Sequence, residues 1–269
     1  MLKLTSENYF SQEAAQEYFS VSQYKNFVGT YGKRGCEAEA MAIIRGEWKK
    51  EVTPSLLVGS FVDAHFEGTL DVFQAQHPEI FTKGGELKNK YRCALDIIAR
   101  CERDKYFMAH LSGEKQVIMT GDIFGVPWKG KIDSYLPGKA IVDLKVMESI
   151  HKSFWVKDLG NISFIEYWGY NVQAAIYQTL VEINTGKKLP FLIAAASKEK
   201  EPDIDVISFN NQNHADTLSL VFTNIARIID LKKGKVEPMR CERCDYCKRT
   251  KVLTKAVHYS ELIGQGGPE

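Results

Sequence analysis

GDIFGVPWKGKIDSYLPGKAIVDLKV, residues 121–146, is the stretch from which the rest of the chain is read. Ile132 to Leu136 and Ala140 to Val146 are rich in aliphatic and aromatic residues, with Pro137-Gly138 between them, a pattern that predicts two strands joined by a turn. Side chains alternate faces along a strand, so Asp143 and Lys145 share one face while Val142, Leu144 and Val146 take the other. Folding back at the turn brings Asp133 beside Asp143. The two stand nearly symmetrically about it, and a one-residue bulge is expected to close the difference. The apolar neighbours mark the second strand as central in a sheet.

Carboxylates gathered on a buried strand repel one another and are costly to desolvate unless a cation neutralises them. Hard divalent ions take oxygen ligands of this kind. A lysine on the same strand can orient or deprotonate a water there. A lone D-x-K is more simply a salt bridge, but a second Asp ten residues upstream, across a turn, favours the metal site.

The pattern of Asp133, nine intervening residues and then Asp143-Leu144-Lys145 resembles the D…(D/E)xK signature of the PD-(D/E)xK, restriction-endonuclease-like nuclease superfamily. Gly59-Ser60-Phe61-Val62-Asp63-Ala64-His65-Phe66-Glu67 resembles the GxxxHxxxE motif of its RecB-like branch, and Gln173-Ala174-Ala175-Ile176-Tyr177 its QxxxY motif. The likeness runs from about residue 20 to about residue 250 and is greatest to phage exonucleases of the RecE type. It departs from the pattern at Asp63, which stands where the family has a metal-binding histidine; His65 falls two residues late and on another helical face.

The resemblance implies an α/β fold with a restriction-endonuclease-like central mixed sheet flanked by helices, and a metal-dependent DNA exonuclease acting on linear duplex ends in phage-type recombination. It implies Mg²⁺ or Mn²⁺ on Asp133, Asp143 and the Leu144 carbonyl, with Lys145 acting on the attacking water and Gln173 and Tyr177 beside the scissile strand, the rival for the tyrosines being a buried network satisfied by Gln173. Asp63 and Glu67 share one helical face, and one of them is expected to supply a further oxygen ligand or to hold a group that does, the alternative being that they only solvate that face. It also implies a ring-like homo-oligomer and a RecT-like strand-annealing partner. A structure-specific or single-strand nuclease of the same superfamily, or a catalytically silent DNA-binding member, are the alternatives.

The bounds are ordinary. At 269 residues the chain suits one nuclease domain, with a core at about 20–235 and a cysteine-containing basic tail at 236–269. Net charge is +1, so DNA contacts must come from local patches; Lys129 and Lys131 in WKGK, and Tyr170, are the candidates. No apolar run reaches the length a bilayer demands, and a cytoplasmic protein is expected. Six cysteines are then thiols or ligands before they are disulfides.

Helices are expected over 36–50, 55–68, 87–108, 162–185 and about 213–233, the last capped by Asn213, with strands at 115–124, 190–197 and 204–209. Glu166, Tyr170, Gln173 and Tyr177 then form one stripe. Glu114 and Asp122 are candidates for outer support of the site. Cys241, Cys244 and Cys247, at CxxCxxC spacing, select Zn²⁺ or an iron–sulfur cluster. The RecB-like resemblance supplies Cys36 as the fourth ligand of a [4Fe–4S] cluster, although the cysteine spacing differs from those relatives and leaves zinc or empty thiols open.

Overall fold

The computed structural model describes residues 1–209 and 211–262. The N-terminal half is helical: α1 (Gln12–Glu17), α2 (Val21–Val28), the two-residue strands β1 (Gly29–Thr30) and β2 (Lys33–Arg34), α3 (Glu37–Ile44), α4 (Pro54–Glu67), α5 (Leu70–Gln76), α6 (Cys93–Glu102) and α7 (Lys105–His110). Sequence sets these boundaries. Ser20 accepts the Gln23 amide to cap α2, and Thr53 accepts the Leu56 amide to start α4, followed by Pro54 at the first helical position.

The strands β3 (Glu114–Ile123), β4 (Val126–Leu136) and β5 (Ala140–Met147) follow, then the hairpin β6 (Ser153–Val156) and β7 (Gly160–Ser163). After α8 (Phe164–Tyr167) and α9 (Tyr170–Thr185) come β8 (Phe191–Ser197), β9 (Ile204–Ser208), α10 (Asn211–Lys232) and α11 (Asp245–Arg249). The central sheet has the order β3-β4-β5-β8-β9, in which only β5 and β8 run parallel. It is the expected mixed sheet flanked by helices, with β5 at its centre. Being covered on both faces explains the unbroken apolar run around Asp143.

Alternation along β5 and β8 feeds two cores. Ile141, Ile193 and Ala195 pack with α2, α3, α9 and α10, whereas Val142, Leu144, Ala194 and Ala196 pack with α4, α5, α6 and α7. The run of three alanines in β8 leaves room for helices on both sides.

Three expected helices are interrupted. Between 87 and 108, Asp104 accepts the Phe107 amide at 2.9 Å and so caps a separate α7. The segment 162–185 breaks at Gly169, which is left-handed at φ +62°; a β-carbon there would meet Thr30 Cγ2 at 3.1 Å. Ser163 and Glu166 close a capping box on α8, so Glu166 leaves the stripe of Tyr170, Gln173 and Tyr177. α3 ends at Ile44, which leaves Trp48 outside it. α10 begins at Asn211, before the expected cap, and the Asn213 side chain lies outside the described residues, as do residues 263–269 of the basic tail. No helix among the described residues is long and apolar enough to cross a membrane.

Candidate active site

Asp133 sits where two strand ladders lapse together. β4 pairs with β5 at Ser134↔Val142, Tyr135↔Ile141 and Leu136↔Ala140, a register that sets Asp133 opposite Asp143 without the bulge expected from sequence. The paired stretch ends there, because β5 continues in parallel register with β8 while diverging from β4. On the other edge, pairing of β3 with β4 skips from Lys115↔Ser134 to Val117↔Ile132, and Gln116, facing Asp133, adopts φ +54°. The Asp133 side chain fills the lapse: its Oδ2 accepts the Leu144 amide at 3.0 Å and its Oδ1 faces Gln116 Nε2 at 3.4 Å.

The three residues of the signature meet. Lys145 forms an ion pair with Asp143 Oδ2 and donates to the Leu144 carbonyl at 3.2 Å. Asp143 is buried, and its Oδ1 accepts from Gln173 Nε2 at 2.5 Å. Beyond the ion pair, Oδ2 takes no hydrogen bond. From α4, Asp63 joins this field and Glu67 reaches Gln116, whose amide therefore spans Glu67 and Asp133. His65 turns away to Glu102 at 2.8 Å.

The electrostatics follow from crowding. Burial, then the Asp143 charge, push the Asp133 carboxyl well above the usual range. Burial also lifts Asp63 to about 7, Asp143 and Glu67 adding to it while Lys145 opposes. For Lys145 burial pulls down, but the carboxylates of Asp143 and Asp133 outweigh it and hold the ammonium more firmly protonated. Carboxylates that burial and mutual repulsion destabilise, a buried Asp143 oxygen whose partner is the Lys145 ammonium and a strand carbonyl at Leu144 form an all-oxygen donor set, which fits Mg²⁺ or Mn²⁺. These oxygens are less tightly gathered than the four cysteine sulfurs described below.

A cleft of about 410 Å³ opens on the Asp133 side of the site, lined by Asp63, Glu67, Gln116, Lys131, Asp133 and Phe10 among others. Lys131 stands at this cleft with its ammonium 4.8 Å from the Phe10 ring centroid. Lys129 does not reach it, which corrects the expected DNA contact. Its side chain is buried, its ammonium donates to the Tyr9 carbonyl, and burial lowers its pKa to about 8.

Tyr177 is also bound inward. Its hydroxyl donates to the Lys131 carbonyl at 3.2 Å and fixes the β4 backbone two residues from Asp133. Tyr170 stands at the start of α9, half-buried, its ring centroid 5.9 Å from Lys145 Nζ. Asp122 accepts the Gly125 amide in the β3–β4 turn, and Glu114 pairs with Tyr135 at the other end of β3. Two neighbours of the site escape sequence reasoning. One is Gln116. The other is Lys25 of α2, which donates to the Trp168 carbonyl at 2.9 Å and lies 4.9 Å from the Tyr170 ring centroid. Neither belongs to a motif; Gln116 is betrayed only by its backbone.

Away from the carboxylates, Cys36 meets Cys241, Cys244 and Cys247, all four sulfurs within 4.8 Å of one another.

This sheet, with D…DxK side chains converging where its strands part, defines the PD-(D/E)xK class. A family model described as a PDDEXK-like domain of unknown function (DUF3799) matches residues 20–250, and the chain belongs to that family. It is also similar to a protein from Eubacterium rectale, described as a putative exonuclease, whose crystal structure superposes with a TM-score of 0.95 at 54% identity over 97% of this chain and 98% of that one. No curated protein matches the chain. Family and neighbour together support a nuclease.

Proposed function

We propose that the chain is a metal-dependent deoxyribonuclease that hydrolyses phosphodiester bonds from the ends of linear duplex DNA. The observation that carries this reading is the meeting of Asp133, Asp143 and Lys145 at the parting of β4 and β5, with Asp133 on the wall of an open cleft. Asp133, Asp143 and the Leu144 carbonyl would hold Mg²⁺ or Mn²⁺, with Asp63 beside them and Glu67 held off by Gln116. When bound, that ion supplies Lewis-acid polarisation of the phosphate and stabilises charge on attacking and leaving oxygens.

The chain's own residues do the rest. Lys145 holds and orients a water for in-line attack, its firm protonation suiting it to donate hydrogen bonds rather than to abstract a proton. Gln173 aims the Asp143 carboxylate, and Tyr177 pins the β4 backbone that presents Asp133. Lys131 meets the phosphates of an incoming strand at the rim of the cleft, and Phe10 offers a ring against which a base can stack. Action at ends, service in phage-type recombination beside a RecT-like annealing protein and a ring-like homo-oligomer rest on the RecE-type resemblance.

End-labelled linear duplex and covalently closed circular DNA, each with Mg²⁺ and with EDTA, test the reading. Loss of label from the linear duplex with Mg²⁺ alone is the expected result. Digestion of the circle at an equal rate would replace the exonuclease by an endonuclease, and digestion in EDTA would remove the metal from the mechanism.

A further inference from the structure

Cys36 Sγ lies 3.6 Å from Cys247 Sγ, which in turn lies 4.0 Å from Cys241 Sγ, and no pair of the four sulfurs is more than 4.8 Å apart. None is in a disulfide. Four thiolates bound at about 2.3 Å to one tetrahedral ion are separated by edges of about 3.8 Å. In a four-iron cubane each thiolate binds a different iron and points away from the centre, which spreads the sulfurs to roughly 6 Å. Every separation here falls short of that spread. The cage fits one ion and does not fit the [4Fe–4S] cluster that the RecB-like resemblance implies.

We infer that these four cysteines form a closed, tetrahedral site for a single Zn²⁺ that staples residues 36–48 to residues 239–250. Backbone amides point at three of the four sulfurs. Cys36 accepts the Glu39 amide at 3.4 Å, Cys241 the Cys244 amide at 3.3 Å and Cys244 the Cys247 amide at 3.4 Å. Amide donors to sulfur fix the orientation of metal ligands. Packing gives no reason for four thiols to converge in this way where aliphatic side chains would fill the space without polar partners.

Charge and closure agree. Four thiolates around a dication leave two negative charges. Arg240 donates to the Cys247 carbonyl at 2.6 Å, and Arg243, Lys248 and Arg249 line the adjoining cleft of about 1430 Å³. That neighbourhood gives the basic run at 240–249 a local anion to offset, independent of DNA. Cys36 and Cys247 are buried, and sulfur fills all four positions of the cage, so the site has no open position for substrate and is structural. Trp48 and Tyr246 close edge to face beside it. The staple joins residues 211 apart in sequence, a loop long enough for its closure to constrain the unfolded chain strongly.

The inference is independent of the nuclease reading, and so is its test. The full chain, purified anaerobically from cells supplied with both iron and zinc, is analysed for zinc, iron and acid-labile sulfide. One zinc per chain without sulfide is expected, and Co²⁺ exchanged into the site should give the intense visible bands of a tetrahedral thiolate complex. Cys244→Ser should lose the ion and lower Tm by several degrees, whereas Cys93→Ser, outside the cage, should keep it. About four irons and four sulfides per chain would overturn the inference. So would a metal-free protein whose Tm is unmoved by added Zn²⁺, and either result can be read from wild-type protein even if Cys244→Ser does not fold.

Discussion

The Gln173 amide donates to Asp143 Oδ1 at 2.5 Å, while the other oxygen of that carboxylate faces the Lys145 ammonium. One helix therefore fixes the rotation of a carboxylate on a central strand. Partners of this kind typically alter metal affinity or activity 10- to 100-fold when removed. Gln173→Leu is expected to lower Mg²⁺-dependent digestion by about that factor and to raise the Mg²⁺ concentration needed for half-maximal rate, with Tm nearly unchanged. Gln173→Glu should lose more, because a second carboxylate would abut Asp143. Rate measured against Mg²⁺ concentration checks both, and a Leu variant indistinguishable from wild type at every concentration would remove the positioning role.

Lys145 is the cation that lets Asp133 and Asp143 stay close. Removing one partner of a buried pair costs about 3–5 kcal/mol, because the other charge is left without compensation. Asp143→Ala and Lys145→Ala should each abolish digestion of linear duplex. In Lys145→Ala the carboxylates face one another with no neutralising group, so its Tm should fall and Mg²⁺ should raise that Tm by more than it raises the wild type's. Thermal denaturation with Mg²⁺ and with EDTA reads the difference. Equal shifts in both proteins would mean that the ion does not sit among these carboxylates.

Glu37 ties the start of α3 to α10 and to the chain entering the cysteine staple. Its carboxylate accepts from Arg227 Nε at 2.6 Å and Nη2 at 2.8 Å, and from the Met239 amide at 2.8 Å. Burial alone would raise its pKa, but the Arg227 and Met239 hydrogen bonds outweigh burial and hold it below the ordinary value of 4.5. For a carboxyl lowered in the folded state, stability is present above the unfolded pKa and is lost as pH falls through the folded one. Glu37→Gln should therefore lower Tm at pH 7 by a few degrees. The gap between variant and wild type should narrow as pH falls below about 4.5. A gap that is constant with pH would assign the effect to packing.

How much of this was legible in the sequence follows from how local each determinant is. Asp143, Leu144 and Lys145 lie on one strand and Gln173 and Tyr177 on one turn of helix, so alternation and helical spacing suffice to place them. The central position of β5 could be read from its apolar neighbours. The bulge was not needed, because the register about Pro137-Gly138 already sets 133 against 143. The break at Gly169 was hidden because a lone glycine is compatible with a helix interior, and the Thr30 and Lys25 side chains that a β-carbon there would meet come from far off in the chain. Gln116 was invisible for the same reason, since its partners Glu67 and Asp133 come from two other elements. Cys36 came from resemblance alone, because nothing local to residue 36 indicates residues 241–247.

Lys129 and Lys131 look equivalent in sequence, on the same face of one strand, yet the structure gives them opposite fates. The Lys129 ammonium is buried against Tyr9, while that of Lys131 stands at the cleft beside Phe10. A phosphate contact reveals itself through released counterions, each lost contact lowering the slope of log affinity against log salt by roughly 0.9 on duplex DNA. Lys131→Gln should therefore weaken duplex binding, measured with Ca²⁺ in place of Mg²⁺ to prevent turnover, and reduce that slope by about one contact. Lys129→Gln should leave the slope alone and lower Tm instead, because the shorter, uncharged amide draws the donor back from the Tyr9 carbonyl. The two variants thus separate a surface charge from a buried one, and a slope change in Lys129→Gln would return that residue to the DNA interface.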